Sequence, residues 1–237
     1  MFSIKISDDL ELGLLEQRHA EELFALVDHN REYLREWLPW VDNSRSLTDT
    51  QEFIKGSLEQ FVSNGSFGTG ILYQGKLAGA IGFHYIDWSN RATSIGYWLA
   101  ASFQGKGLMT EACRTLVDYA FNELALNRVE IRCATENTKS RAIPQRLGFK
   151  QEGTIRQAEW LYDHYVDLVV YGILASEWSD SSKVPKYSSS QLGEVQSEKP
   201  NPQPLPTPLV LPYKGRCQRT KPFFSRKGSK NQSLSQE

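Results

Sequence analysis

The sequence predicts a mixed α/β (α+β) fold, a mostly antiparallel, twisted sheet of about seven strands with helices packed on it. Three observations predict it. Segments of strand period alternate with segments of helical period across residues 1–178. Turn dipeptides join several of the strands as hairpins. Residues 179–237 then change composition abruptly, so the packed part ends near residue 178.

Leu10–Leu14 opens the series as a short strand. Ala20, Leu23, Phe24 and Val27 fall on one face of a helix, and Ile54, Leu58, Phe61 and Val62 do so on a second. Thr48 with Gln51 is the expected capping box of that second helix. Gly68–Tyr73 and Lys76–His84 flank Gln74-Gly75, a hairpin turn, and Arg91–Leu99 completes a meander. A helix from Leu108 to about Leu124 turns Met109, Ala112, Leu116, Val117 and Ala120 inward. Val129, Ile131 and Cys133 alternate with Glu130 and Arg132 as a strand does. A short helix ends at Gly148, and strands Phe149–Trp160 and His164–Leu174 turn through Tyr162-Asp163.

The near-zero net charge conceals two unlike parts. Residues 179–237 hold eight of the ten prolines and a charge balance of +6, which leaves −7 on residues 1–178. A segment so rich in proline and so poor in apolar residues cannot bury a core, and is expected to be a disordered tail. Lys214–Lys230 within it has seven basic and no acidic residues, as a solvated tail or a contact for RNA does. No apolar run reaches the roughly eighteen residues a membrane helix requires. The acidic start, MFSIKISDDLEL, is unlike a secretion signal, so a cytoplasmic location is expected. Three distant cysteines and four scattered histidines fit neither a disulfide framework nor a metal site.

The chemistry concentrates in Trp98–Glu111, WLAASFQGKGLMTE. A strand ends at Leu99, and a loop with Gly105 and Gly107 opens directly into an amphipathic helix. Loop amides and the positive helix end together make a site for a phosphate or pyrophosphate. Neither G-x-x-x-x-G-K-[ST] nor G-x-G-x-x-G occurs, so two common phosphate motifs are excluded.

Gln104-Gly105-Lys106-Gly107-Leu108-Met109 resembles the pyrophosphate loop, Q/R-x-x-G-x-G/A, of the GCN5-related N-acetyltransferases (GNAT). Arg128-Val129-Glu130, Asn137-x-x-Ser140 and Gly148-Phe149 extend the resemblance in order. Met109-Thr110-Glu111-Ala112, Asn30-x-x-x-Leu34-x-x-Trp37-Leu38-x-Trp40 and Gln157-Ala158-Glu159 are similar to the ribosomal-protein N-acetyltransferase branch. The resemblance covers residues 8–178 and implies a GNAT fold with helices on both sheet faces. Two departures stand out. Met109 replaces the last small residue of the loop. Pro144 stands where many members carry a tyrosine that protonates the leaving thiolate, and it implies a kink or a late helix start.

The resemblance implies acetyl-CoA as cosubstrate, with no metal, lying where two parallel strands part. Backbone groups near Leu99 would pair with pantetheine, and amides from Gln104 to Met109 would hold the pyrophosphate, with Lys106 adding charge or simply solvated. Asn137 would cap the next helix, bind pantetheine, or both. Ser140 is the candidate proton donor to the thiolate in place of the missing tyrosine, or a plain helix-end hydroxyl. Glu159 is the candidate base, with His164 as second choice. A carboxylate in a cleft beside Trp160 has its pKa raised by desolvation, whereas a solvated strand-end glutamate does not. Tyr33, Trp37 and Trp40 line an acceptor groove or form an aromatic core face.

Three functions follow from this reading. The first is transfer of acetyl to the N-terminal α-amine of a protein, possible targets being ribosomal proteins. The second is acetylation of a small amine such as a polyamine or antibiotic. The third is a non-catalytic CoA-binding module held to the ribosome by its basic tail. Monomer and homodimer are both compatible with the sequence.

Overall fold

The computed structural model describes residues 3–63 and 65–179. Its eight strands are β1 (Ser3–Lys5), β2 (Leu10–Leu14), β3 (Gly68–Tyr73), β4 (Lys76–Asp87), β5 (Ala92–Leu99), β6 (Arg128–Ala134), β7 (Lys150–Leu161) and β8 (His164–Leu174). They form one sheet in the order β1-β2-β3-β4-β5-β6-β8-β7. Every neighbouring pair is antiparallel except β5 with β6. The helices are α1 (Ala20–His29), α2 (Arg31–Arg35), α3 (Leu47–Val62), α4 (Leu108–Asn122), α5 (Thr138–Arg146) and α6 (Ala175–Ser179).

All seven expected strands are present. The eighth, β1, has only three residues, too few to display a period, and it forms by pairing Ser3 with Gly13 across a tight turn. Gln74 and Gly75 both take left-handed φ values, 52° and 75°, as a two-residue hairpin turn demands. The capping box of α3 lies two residues before the expected one. Ser46 accepts from the Asp49 amide and Asp49 accepts from the Ser46 amide, so Thr48 and Gln51 lie inside the helix.

Side-chain alternation along β5 feeds two cores, one on each face of the sheet. Ile95 joins Ile131, Val169 and Tyr171 beneath Met109, Ala112, Leu116 and Val117 of α4. Trp98 faces the other way and packs with Leu77 beneath Leu23, Val27, Leu34, Trp40 and Ile54. The tail expectation falls on residues 180–237, outside the described residues.

Candidate active site

The parallel pair supplies the site. β5 and β6 are paired only from Ala92↔Arg128 to Ile95↔Ile131. Beyond that point β5 stays with β4 as far as Leu99↔Gly79, while β6 stays with β8 as far as Ala134↔Leu168. The strands therefore part, and the β5 edge from Gly96 to Leu99 has no strand beside it on the β6 side. An extended amide-bearing chain can add there as a strand would.

At the mouth of this gap the chain enters α4 through Gly105 and Gly107, with φ of 75° and 77°. A Cβ at either glycine would have no atom within 4 Å, so glycine serves the left-handed backbone and leaves open space above it. Gly107 is the N-cap without any capping side chain, and its carbonyl accepts from Thr110 N (3.0 Å) and Glu111 N (3.2 Å). The amides of Leu108 and Met109 precede those bonds, so the helix leaves them for an anion.

Neighbouring elements hold the loop. Ala101 N donates to Asn30 Oδ1 (3.0 Å), and Asn30 Nδ2 donates to the Leu26 carbonyl (2.8 Å) at the end of α1. Gln104 donates through Nε2 to the Tyr33 hydroxyl and accepts through Oε1 from Lys139 Nζ (3.2 Å). Its side chain is thus a clamp between α2 and α5, and Tyr33 is bound to the loop. Lys106 lies over the Tyr73 and Phe103 rings, 5.1 and 5.6 Å from their centroids. Lys139 and Asn30 belonged to quoted motifs without a role of their own; only the fold brings them to the loop.

Inside the gap, Asn137 caps α5 by accepting from Ser140 N (3.0 Å). Helix α5 runs through Pro144 rather than starting after it. A proline at 144 has no N–H for the carbonyl four residues earlier, that of Ser140. The Tyr97 hydroxyl, from β5, donates to that carbonyl instead (3.0 Å). This brings Tyr97 Oη within 3.3 Å of Ser140 Oγ, which also lies 3.2 Å from Cys133 Sγ. Burial drives the Tyr97 phenol well above its ordinary pKa, so it stays protonated. Cys133 is core, as its alternation predicts, with its Sγ against Ser140 Oγ.

The opposite face carries the candidate base. Pairing with Val166 sets Glu159 on the face that bears Trp98, away from α4 and α5. Glu159 is half-buried, no hydrogen-bond or ion-pair partner reaches it among the described residues, and desolvation raises its pKa. Three residues, Arg156–Ala158, bulge opposite the single residue Asp167 to bring it there. At the tip of the β7–β8 hairpin the Tyr162 hydroxyl donates to the Leu38 carbonyl (2.6 Å), and the Arg35 guanidinium lies 3.8 Å from the Tyr162 ring centre. The hairpin is thereby docked on the Tyr33–Trp40 segment. Trp40 itself is buried, 6.1 Å from Trp98 between ring centres, and Trp37 is half-buried. Trp40, Trp98, Ala80 and Phe53 line a cavity of about 490 Å³ with Asp42, Asp49 and Thr50, whose Oγ1 is buried and unpartnered. His164 sits on the exposed turn, 2.7 Å from Asp163.

Among the described residues no group of three His, Cys, Asp or Glu is placed to hold a metal, and no helix is long and apolar enough to cross a membrane.

Comparison with known proteins agrees with this geometry. Residues 9–150 match the model of the acetyltransferase (GNAT) domain. YdaF of Bacillus subtilis (strain 168), provisionally named a ribosomal N-acetyltransferase, is 41% identical over 75% of this chain and 98% of its own. The ribosomal-protein-serine acetyltransferase of Escherichia coli (strain K12) is 32% identical over 71% of this chain and 94% of its own. Among solved structures, RimL, a ribosomal L7/L12 alpha-N-protein acetyltransferase in complex with coenzyme A, superposes with TM-score 0.71 at 31% identity, covering 73% of this chain and 98% of that one. The chain belongs to the GNAT acetyltransferase family, in the branch that holds the ribosomal-protein N-acetyltransferases, and is an acyltransferase that uses acetyl-CoA.

Proposed function

We propose that the chain transfers acetyl directly to the N-terminal α-amine of a protein, with a ribosomal protein as the favoured acceptor. The observation that carries this is Glu159: a half-buried, unpartnered carboxylate on the sheet face that also bears the Trp98 cavity. In this reading pantetheine lies along the Gly96–Leu99 edge and the pyrophosphate lies over Gln104–Met109. Glu159 takes the proton of the incoming ammonium. The freed amine attacks the thioester carbon, the C–S bond breaks, and the thiolate takes the Ser140 proton with the Tyr97 phenol beside it; the second proton of the amine nitrogen passes to solvent, from which Ser140 is reprotonated. Asn137 caps the helix that presents Ser140.

Acid–base arithmetic favours an α-amine over lysine. With pKa values of about 7.7–8.0 and 10.4, about a third of α-amines but about a thousandth of lysines are neutral at pH 7.5. One modest base suffices for the former. The −7 balance of residues 1–178 favours a cationic acceptor, and the names of the serine- and alanine-specific Escherichia coli relatives point to ribosomal proteins. A small-molecule acceptor is the second reading, supported by the microcin C7 self-immunity acetyltransferase, 32% identical with TM-score 0.70. We assign catalysis to residues 1–178 and none of it to residues 179–237.

Thiol release with a pair of basic, serine-initiated peptides tests the proposal, one with a free N-terminus and one blocked, each with an internal lysine. Release with the free peptide alone, in the full chain and after truncation beyond Ser179, is expected. Equal release from both peptides would assign the activity to lysine, and release only with a polyamine would replace the protein acceptor by a small one.

A further inference from the structure

The β7–β8 hairpin contains an irregularity that ordinary hairpin pairing does not need. Ile155 lies opposite Leu168, but the next paired residue, opposite Val166, is Glu159. In uninterrupted pairing residue 157 would oppose Val166. The chain therefore inserts two extra residues, which preserves the face because strand side chains alternate with period two. What changes is the identity of the residue presented. Without the bulge the position would hold Gln157, whose amide cannot take a proton from an ammonium.

One residue holds the bulge open. Asp167 Oδ1 accepts from Gln157 N at 2.7 Å, and Gln157 stands in the left-handed region with φ of 49°. The Asp167 carbonyl accepts from Thr135 N (3.0 Å), the residue directly after β6. Asp167 therefore ties the bulge, through its side chain, to the end of the strand that opens the CoA gap, through its main chain.

We infer that Asp167 is a positioning residue for acetyl transfer: its carboxylate holds the two-residue bulge that sets Glu159, in place of Gln157, opposite Val166 on the acceptor face. This rests on Glu159 acting as base, and the test separates the two claims. Steady-state kinetics of the full chain with acetyl-CoA and a basic free-N-terminus peptide are compared for Asp167→Ala, Asp167→Asn, Glu159→Gln and Asp167→Ala/Glu159→Gln. Displacing a catalytic group by an ångström costs about 10²-fold, so Asp167→Ala is expected to lower kcat about 10²-fold. Its KM for acetyl-CoA should stay within about twofold, which also shows that the fold persists. Asp167→Asn keeps an oxygen that can accept from Gln157 N, and should recover most of the loss. In the Glu159→Gln background, Asp167→Ala should add nothing.

Three results overturn the inference while Glu159→Gln is impaired: wild-type kcat in Asp167→Ala, equal damage in the Asn and Ala variants, or losses that multiply in the double variant. A Glu159→Gln enzyme with wild-type kcat instead removes the base itself, and the positioning role with it.

Discussion

A carboxylate takes a proton from an ammonium most readily when the two compete for it on nearly equal terms. Burial moves Glu159 in that direction, because its charged form loses water without gaining a partner. The sign has two consequences. Turnover falls as pH drops through the raised pKa, at a higher pH than for a fully solvated glutamate. The folded state also binds that proton more tightly than the unfolded chain, so its stability rises as pH falls through the same window. Glu159→Gln should therefore lower kcat by about 10²–10⁴-fold while raising the melting temperature at pH 7.5, read by calorimetry. At the same scale, Tyr97→Phe leaves the Ser140 carbonyl without a donor, since Pro144 offers none. An unmet buried carbonyl costs about 1–3 kcal/mol, to be measured by urea denaturation. Pro144→Ala restores the missing N–H, so the penalty of Tyr97→Phe should shrink in that background. Gly105, Gly107 and the Asn137 cap were legible in the sequence because their roles are set by their own backbone. Tyr97 and Lys139 were not, because each acts through a partner far away in the chain: Ser140 and Gln104 lie 43 and 35 positions from them. Asp167 was not, because the bulge it holds changes the β7–β8 register without marking the sequence pattern.

Among the elements, the entry into α4 is the one we propose holds the cosubstrate's pyrophosphate. A methyl at Gly107 would meet no protein atom, but a left-handed φ of 77° costs a side-chain-bearing residue about 1–2 kcal/mol. In the proposed binding mode it would also stand in the space assigned to the pyrophosphate. Gly107→Ala should raise KM for acetyl-CoA about tenfold or more, since each 1.4 kcal/mol of lost binding is a factor of ten, with only a modest fall in melting temperature. Equal KM values for variant and parent would contradict the assignment of the loop. Helix α4 was legible almost to its ends, because seven of its residues face one core. The α3 start was read two residues late, since Thr48 and Gln51 satisfy the same capping pattern as Ser46 and Asp49. Only tertiary packing decided between them. Helix α2 has five residues, less than two turns, and offers no period to read.

For the whole molecule, function depends on a topology that local sequence does not encode. The meander and the alternation identified β5 and β6 as strands, but a parallel pair was implied only by the resemblance, and the intrusion of β8 between β6 and β7 came from the fold alone. That arrangement opens the gap on one side of Tyr97 and Ser140 and leaves Glu159 on the other face, beside the docked α2 segment. Two core clusters on opposite faces keep these parts in register. The central claim is that the Glu159 carboxylate deprotonates an N-terminal α-amine within this frame. The pH dependence of kcat/KM for a free-N-terminus peptide tests it most directly, in the parent and in Glu159→Gln. An acid limb is expected in the parent and should disappear from the residual rate of the variant. An identical limb and an undiminished rate in Glu159→Gln would contradict it.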